Sequence, residues 1–339
     1  MRVGLLGAGR IGAHHAETLA GLDEVEHLVI ADTDPERARS LAEKLTGSVA
    51  LDHIADVFAA GRVDAVCIAA ATSAHAELLH LAADAGLPTF CEKPLAADVA
   101  GTLRVLEHVE RTGIALHVGF QRRFDAGFVA ARQAVADGSL GTLHRVRAVT
   151  ADPQPPHLDY LPHSGGIYRD CHIHDFDAVG WVTGQPVVEA WAVGANRGHR
   201  AFADCGDVDT SLALLRLADD TLVTVEGSRY NGAGYDVRLE LAGTEASVVA
   251  GLDPRTPLHS LEPEQRACPQ TRPYTGFLDR FAAAYAAEMT AFVAMAAGRA
   301  PSPCTGREAL AALYVAEACT RSLAEGRPIR VAQVEQVTP

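Results

Sequence analysis

Clustered basic charge is the first thing this chain lacks: Lys and Arg number 29 against 43 Asp and Glu, a formal net charge of -14. Phosphate backbones are held by grouped cations, so nucleic acid is not an expected partner. An acidic surface suits neutral or cationic small molecules. The seven cysteines, Cys67, Cys91, Cys171, Cys205, Cys268, Cys304 and Cys319, form no Cys-x-x-Cys pair. That spacing disfavours a zinc knuckle or a disulfide framework and suits a reducing cytoplasm. No apolar run approaches the roughly 18 residues a membrane span needs. The basic start and cleavage site of a signal peptide are missing too. A soluble, unexported, cytoplasmic protein is therefore expected, and the chain shows no repeat, low-complexity linker or coiled-coil heptad.

What is present is a folded protein's composition, 48% hydrophobic and 21% charged over 339 residues. That length exceeds the usual single core and points to two domains. The apolar run Arg2 to Leu6 leads into Gly7-Ala8-Gly9-Arg10-Ile11-Gly12, and Ala13 to Leu22 follows with a helical pattern. Strand, glycine turn and helix in that order give a G-x-G-x-x-G match its meaning. Gly7 permits the tight turn, Gly9 lets backbone approach a pyrophosphate, and Gly12 lets the helix pack on its strand. The helix N-terminus at Arg10 and Ile11 then faces the anion. A second strand, His27 to Ala31, ends at Asp32, whose carboxylate suits both adenosine ribose hydroxyls and repels a 2′-phosphate. NAD is thereby favoured over NADP, although Asp32 also reads as a cap before Pro35.

Alternation continues through helix Pro35 to Leu45, a strand near Val49, a helix at His53 to Ala60, strand Ala65 to Ala70 and helix Ala74 to Ala85. Strand Pro88 to Cys91, helix Asp98 to Arg111 and strand Ala115 to Gly119 complete it. Such alternation specifies a parallel sheet covered on both faces, a Rossmann domain over residues 1–119. Ligands on these sheets lie outside the carboxyl ends of the strands, which singles out two loops. Thr72 and His75 belong to one, on the nicotinamide side. Glu92, Lys93 and Pro94 form the other, where a lysine is commonly a solvated strand end.

From Phe120 the rhythm changes to an α+β pattern over residues 120–339, with an open, mainly antiparallel sheet built from Leu143 to Thr150, Val187 to Val193, Thr210 to Leu217, Leu222 to Ser228, Val237 to Leu241 and Ser247 to Val249. The segment from Ala151 to Pro162 is too rich in proline for regular structure. Long helices are expected over Phe277 to Ala297 and Arg307 to Glu325, with Phe281, Tyr285, Phe292 and Met295 as core, before a last strand at Pro328 to Val331. Between them lies Gly165-Gly166-Ile167-Tyr168-Arg169-Asp170-Cys171-His172-Ile173-His174-Asp175. On one helix, Asp170 and His174 share a face. His172 and His174 point about 200° apart on such a helix, so no metal is expected and His172 reads as packing. His14 and His15 are expected against the domain surface.

Together Gly7-x-Gly9-x-x-Gly12, Glu92-Lys93-Pro94, Gly119-Phe120-Gln121-Arg122-Arg123 and Gly165-Gly166 with Asp170-x-x-x-His174-Asp175 resemble the Gfo/Idh/MocA oxidoreductases, within them the inositol 2-dehydrogenases. The resemblance spans nearly the whole chain and includes Gly234-Tyr235-Asp236. It implies NAD as cofactor, Lys93, Asp170 and His174 as the catalytic group, Arg123 and Tyr235 as substrate contacts, and a homodimer or homotetramer formed through the large sheet. Thr150 and Asp152 stand where those enzymes carry His and Asn, and Gln121 where they carry Met or Asn. The implied reaction is reversible oxidation of a secondary ring hydroxyl of a cyclitol or sugar. Asp152 and the acidic balance suggest an amino-substituted ring, an aminocyclitol or aminoglycoside, as a variant. The competing reading is a non-catalytic NAD- or sugar-sensing protein of the same fold.

Overall fold

The computed structural model describes residues 1–258, 260–262 and 272–336; Cys268 lies outside them. In chain order the first part contains β1 (Arg2–Leu6), α1 (Arg10–Ala20), β2 (His27–Ala31), α2 (Pro35–Ala42), β3 (Ser48–Leu51), β4 (Ala65–Ile68), α3 (Thr72–Asp84), β5 (Thr89–Glu92), α4 (Val99–Thr112) and β6 (Leu116–Gly119). Then come α5 (Ala126–Ala136), β7 (Leu143–Ala151), α6 (Leu161–Ser164), α7 (Ile167–Asp170), α8 (Ile173–Thr183), β8 (Val187–Ala195), α9 (Ala201–Asp204), β9 (Thr210–Leu217) and β10 (Leu222–Ser228). The chain ends in β11 (Asp236–Gly243), β12 (Ser247–Ala250), α10 (Phe277–Arg280), α11 (Ala282–Ala296), α12 (Gly306–Glu325), β13 (Ile329–Arg330) and α13 (Ala332–Glu335). Among the described residues no helix is long and apolar enough to cross a membrane.

The chain divides into two units, one of Met1–Gln121 with Ala283–Leu310, the other of Arg122–Ala282 with Ala311–Pro339. The first holds a six-stranded sheet of order β3-β2-β1-β4-β5-β6, every pair parallel. Local chemistry sets its helices. Asp34 caps α2 by accepting from the Glu36 N–H, with Pro35 in the first turn, and Asp98 caps α4 through the Gly101 N–H at 2.6 Å; such caps contribute about 1 kcal/mol each. Val3, Leu5, Leu28, Ile30 and Phe90 form the core with Met289, Phe292 and Val293 of α11. Each large apolar side chain buried there contributes roughly 1.5–3 kcal/mol. Strand order reverses between β1 and β4, which puts the crevice for a ligand outside their carboxyl ends.

The second unit is built on a seven-stranded mixed sheet, β12-β11-β7-β10-β9-β8-β13. β7 and β10 run parallel and the other pairs antiparallel. Alternation is clean on β9, where Ser211, Ala213, Leu215 and Leu217 are buried and Leu212 and Leu214 exposed. Phe281, Tyr285, Phe292 and Met295 are all buried, as the helical spacing predicts.

Four local expectations need correction. His53 to Ala60 forms a short 3-10 turn, Ile54–Phe58. The proline-rich loop contains a 3-10 turn at Leu158–Tyr160 and α6, because Pro162 sits at the start of the helix where its missing N–H costs nothing. The helix from Phe277 is interrupted at Phe281, between α10 and α11. Most consequential, Asp170 and His174 do not share one continuous helix: α7 ends at Asp170, α8 begins at Ile173, and the His172 N–H bonds the Ile167 carbonyl five residues back at 3.0 Å. Such a widened turn shifts the register, so the four-residue spacing no longer dictates a common face.

Candidate active site

In the first unit the glycine turn has the form that a dinucleotide requires. Gly7 adopts φ +102°, and a Cβ at Gly12 would lie 1.9 Å from the Gly7 carbonyl oxygen, so any side chain there would disrupt the turn. Gly9 faces open space, with nothing within 4 Å of an added Cβ. Arg10 and Ile11 form the first turn of α1, whose leading N–H groups have no partners within the helix. Asp32 accepts from the Ala8 N–H at 2.6 Å and from the Asp34 N–H at 2.9 Å. Its carboxylate is thus fixed against the turn, and a carboxylate's four lone-pair positions leave capacity for a ribose hydroxyl. These residues fit NAD.

The loops after β4 and β5 are tied together by His75. This buried ring places Nδ1 2.7 Å from the Pro94 carbonyl and Nε2 3.0 Å from the Ala70 carbonyl. A neutral imidazole carries one N–H, so the ring donates to one of these carbonyls while its second nitrogen faces the other, and His75 organises the loop; Thr72, half-buried at the start of α3, is the other residue expected there. His15 is also buried, with Nε2 2.7 Å from Glu92 Oε1. It packs edge-on to Phe90 and Tyr285. The expected surface position for His15 is therefore wrong, because α1 turns this face toward β5; His14 is partly exposed and lies edge-on to Tyr285. Burial would raise the Glu92 carboxyl, but His15 and then Lys93 outweigh it and hold its pKa below the usual range.

Burial pulls the pKa of His75 below its ordinary value, against the weaker pull of its two carbonyl partners. The unfolded chain then binds more protons than the folded one below about pH 6.5, and stability falls as pH drops through that region. A thermal melt is expected to show a lower midpoint at pH 5.5 than at pH 7.5, with a smaller difference in His75→Asn.

In the second unit, Gly165 and Gly166 both take positive φ, and Asp207 Oδ1 accepts from the Ile167 N–H at 2.9 Å, closing the start of α7. Asp170 Oδ1 accepts from the Tyr160 hydroxyl at 2.9 Å, and Oδ2 from Arg229 Nη2 at 2.6 Å. Arg229 also donates to Asp152 Oδ2 at 3.0 Å. Burial raises the Asp152 carboxyl, with Arg229 opposing. His174 is half-buried on the first turn of α8. Its neighbour Asp175 is fully buried, with its carboxylate on Arg122 Nη1, Thr150 Oγ1 (2.8 Å) and His172 Nδ1 (2.7 Å). His172 Nε2 reaches Ser211 Oγ at 2.8 Å. A Cβ at Gly227 would come within 2.2 Å of that nitrogen, so the glycine makes room for the ring.

Family models match both parts of the chain: an oxidoreductase family NAD-binding Rossmann fold over residues 1–120 and a GFO/IDH/MocA C-terminal domain over residues 128–249. The chain belongs to the Gfo/Idh/MocA oxidoreductase family. It is 40% identical to the myo-inositol dehydrogenase Hyg17 of Streptomyces leeuwenhoekii over 96% of this chain and 98% of that protein. A crystal structure of a probable dehydrogenase from Thermotoga maritima superposes with a TM-score of 0.92 at 33% identity, covering 98% of this chain and 100% of that one. The scyllo-inositol dehydrogenase of Lactobacillus casei with bound NAD(H) and scyllo-inositol gives 0.88 at 26% identity, covering 98% and 99%. This Gfo/Idh/MocA chain is an NAD-dependent oxidoreductase.

Within this oxidoreductase the expected substrate residues lie in different surroundings. Arg123 is buried with Nε 3.0 Å and Nη2 2.6 Å from Asp177, a two-pronged ion pair with α8. Tyr235 is buried, and burial pushes its phenol pKa up among the charges of Arg122 and Asp152. Asp152 faces Arg229, a residue no motif in the sequence marks out. Only a lone arginine just past a strand end signals it, and long-range pairing is invisible in one dimension.

Proposed function

We propose that this oxidoreductase oxidises one secondary ring hydroxyl of an inositol-like cyclitol to the ketone, reversibly, with NAD. The reading is carried by the whole-length likeness to inositol dehydrogenases, in a chain that also has Lys93, Asp170 and His174. Gly7, Gly9, Arg10, Ile11 and Gly12 would hold the pyrophosphate, Asp32 the ribose, and Thr72 and Glu92 the loops beside the nicotinamide. Bound NAD supplies the hydride acceptor. Alkoxide-like charge develops on the substrate oxygen as hydride departs, so the hydroxyl proton must leave with it. His174 takes that proton, since imidazole's ordinary pKa of about 6.5 suits the task. Lys93 donates to the same oxygen and favours its charged form. Asp170, held by Arg229 and Tyr160, accepts from a neighbouring ring hydroxyl.

Purified protein with NAD and a panel of inositol isomers and hexoses is expected to form NADH, read by nicotinamide absorbance, fastest with a cyclitol. Tight NAD binding with no turnover on any of them would overturn the proposal. An amino-substituted ring is the second reading, favoured by the two carboxylates of Asp152 and Asp170 sharing one guanidinium. A carboxylate beside the substrate is a natural partner for an ammonium. Asp152→Asn is then expected to raise KM for an aminocyclitol more than for its neutral analogue.

The reading extends to a homo-oligomer. Trp191 and Val193 on β8 pair in register with Leu214 and Leu212 on β9, and all four are exposed. Charged Arg147, Glu226 and Glu240 lie farther along the same sheet. An apolar island with a charged rim suits burial against a second copy. Light scattering on Leu212→Glu/Leu214→Glu is expected to show a shift to the monomer mass; an unchanged mass would rule this face out.

A further inference from the structure

Two buried histidines hold the residues on either side of Lys93, each from a helix that starts at a loop of the glycine-turn unit. His15, on α1, is 2.7 Å from the carboxylate of Glu92. His75, on α3, is 2.7 Å from the carbonyl of Pro94. Gly119 on β6 completes the seat: a Cβ there would stand 3.1 Å from Glu92 Oε2 and 2.9 Å from the tip of the Phe90 ring. Successive residues of an extended chain point to opposite sides. Anchoring the Glu92 side chain to α1 therefore fixes the roll of the chain on which Lys93 is carried, and anchoring the Pro94 carbonyl fixes its far end.

We infer that His15 and His75 are positioning residues that brace the Glu92-Lys93-Pro94 turn and so aim the Lys93 amine at the reacting oxygen. The inference rests on the catalytic assignment of Lys93 made above. Neither histidine touches the reacting atoms. Each acts through backbone or carboxylate on the lysine between their partners, where a misplacement of about 1 Å is enough to cost roughly 100-fold in rate.

The test uses the full chain with NAD and its best cyclitol. His15→Leu and His75→Leu are expected to lower kcat roughly 10- to 100-fold, with KM and the NAD dissociation constant nearly unchanged. His15→Gln and His75→Asn place an amide where the ring nitrogen stood and are expected to restore most of the rate. The reversed pair, His15→Asn and His75→Gln, sets the amide one bond off and is expected to behave like the leucine variants, which keeps the comparison available if leucine prevents folding. His80→Asn, a histidine of α3 that faces His108, serves as the unaffected control. Combined with Lys93→Ala, the brace variants are expected to cause no further loss, because their effect passes through the lysine. Equal losses with and without Lys93, or an unchanged kcat in both leucine variants, would overturn the brace. Full activity in Lys93→Ala alone would instead overturn the catalytic reading. In that case, acetylation of Lys93 against pH in the protein without NAD, followed by peptide mass spectrometry, decides the brace: a displaced profile in the histidine variants supports it, and a superimposable one removes it.

Discussion

Alanine in place of His174 is expected to lower kcat by about 10²- to 10⁴-fold, the usual contribution of a positioned general base. NAD binding, measured by calorimetry, should persist, because the glycine turn and Asp32 belong to the other unit. The informative readout is the pH profile. If His174 takes the hydroxyl proton, the acid limb of kcat/KM reports its titration in the free enzyme, and that limb disappears in the variant. Lys93→Ala should give a loss of similar size through a different signature, since in the proposed mechanism the lysine stabilises charge on the oxygen and does not accept the proton. A His174→Ala enzyme with an intact acid limb would assign the base elsewhere.

The largest structural effect is expected from Asp175, next along the chain. Its carboxylate accepts from Arg122, Thr150 and His172. Burial would raise its pKa, but Arg122 and His172 outweigh that and hold it below the usual carboxylate range. Removing it leaves the Arg122 charge buried and uncompensated, a defect that costs about 3–5 kcal/mol. Both tryptophans, Trp181 and Trp191, belong to the same unit, so urea unfolding followed by their fluorescence reads the loss directly in Asp175→Ala. The sign with pH follows from the depressed value. The stabilisation is present above the unfolded pKa of about 3.9 and is lost as pH falls through the folded one. Asp175→Asn should flatten that acid limb. An Asp175→Ala protein within 1 kcal/mol of the parent would show that the cluster is not energetically coupled.

How much of this was legible in one dimension depended on whether the chemistry was local. The glycine turn, Asp32 and the loops at Thr72 and Glu92 are each set by residues a few positions apart, and β1 through β6 stand close to where periodicity places them. Asp170 and His174 were named by motif, but their common helix was not real. His172 bonds Ser211 on β9 and Asp175, and the turn that carries it is one residue wider than an α-helical one. Arg123 shows the same limit from the other side. An arginine read from a familiar motif as a ligand contact also has a fork on Asp177, a pairing the motif does not announce. His15 and Arg229 depend wholly on partners 77 and 59 residues away, a distance at which a sequence pattern carries no pairing information.

The first unit draws part of its apolar interior from α11, where Met289, Phe292 and Val293 join Val3, Leu5 and Phe90. That membership has a temporal side. During synthesis the parallel sheet is finished at Gln121, but the segment that completes its core begins only at Ala283. At 5–20 residues per second the interval is roughly ten to thirty seconds. Through that time the apolar flank that α11 will cover is exposed on the nascent chain, so a shortened protein ending near residue 120 is expected to bind chaperones or aggregate. The nucleotide-binding half of this enzyme is thus completed by residues that leave the ribosome after most of its second sheet.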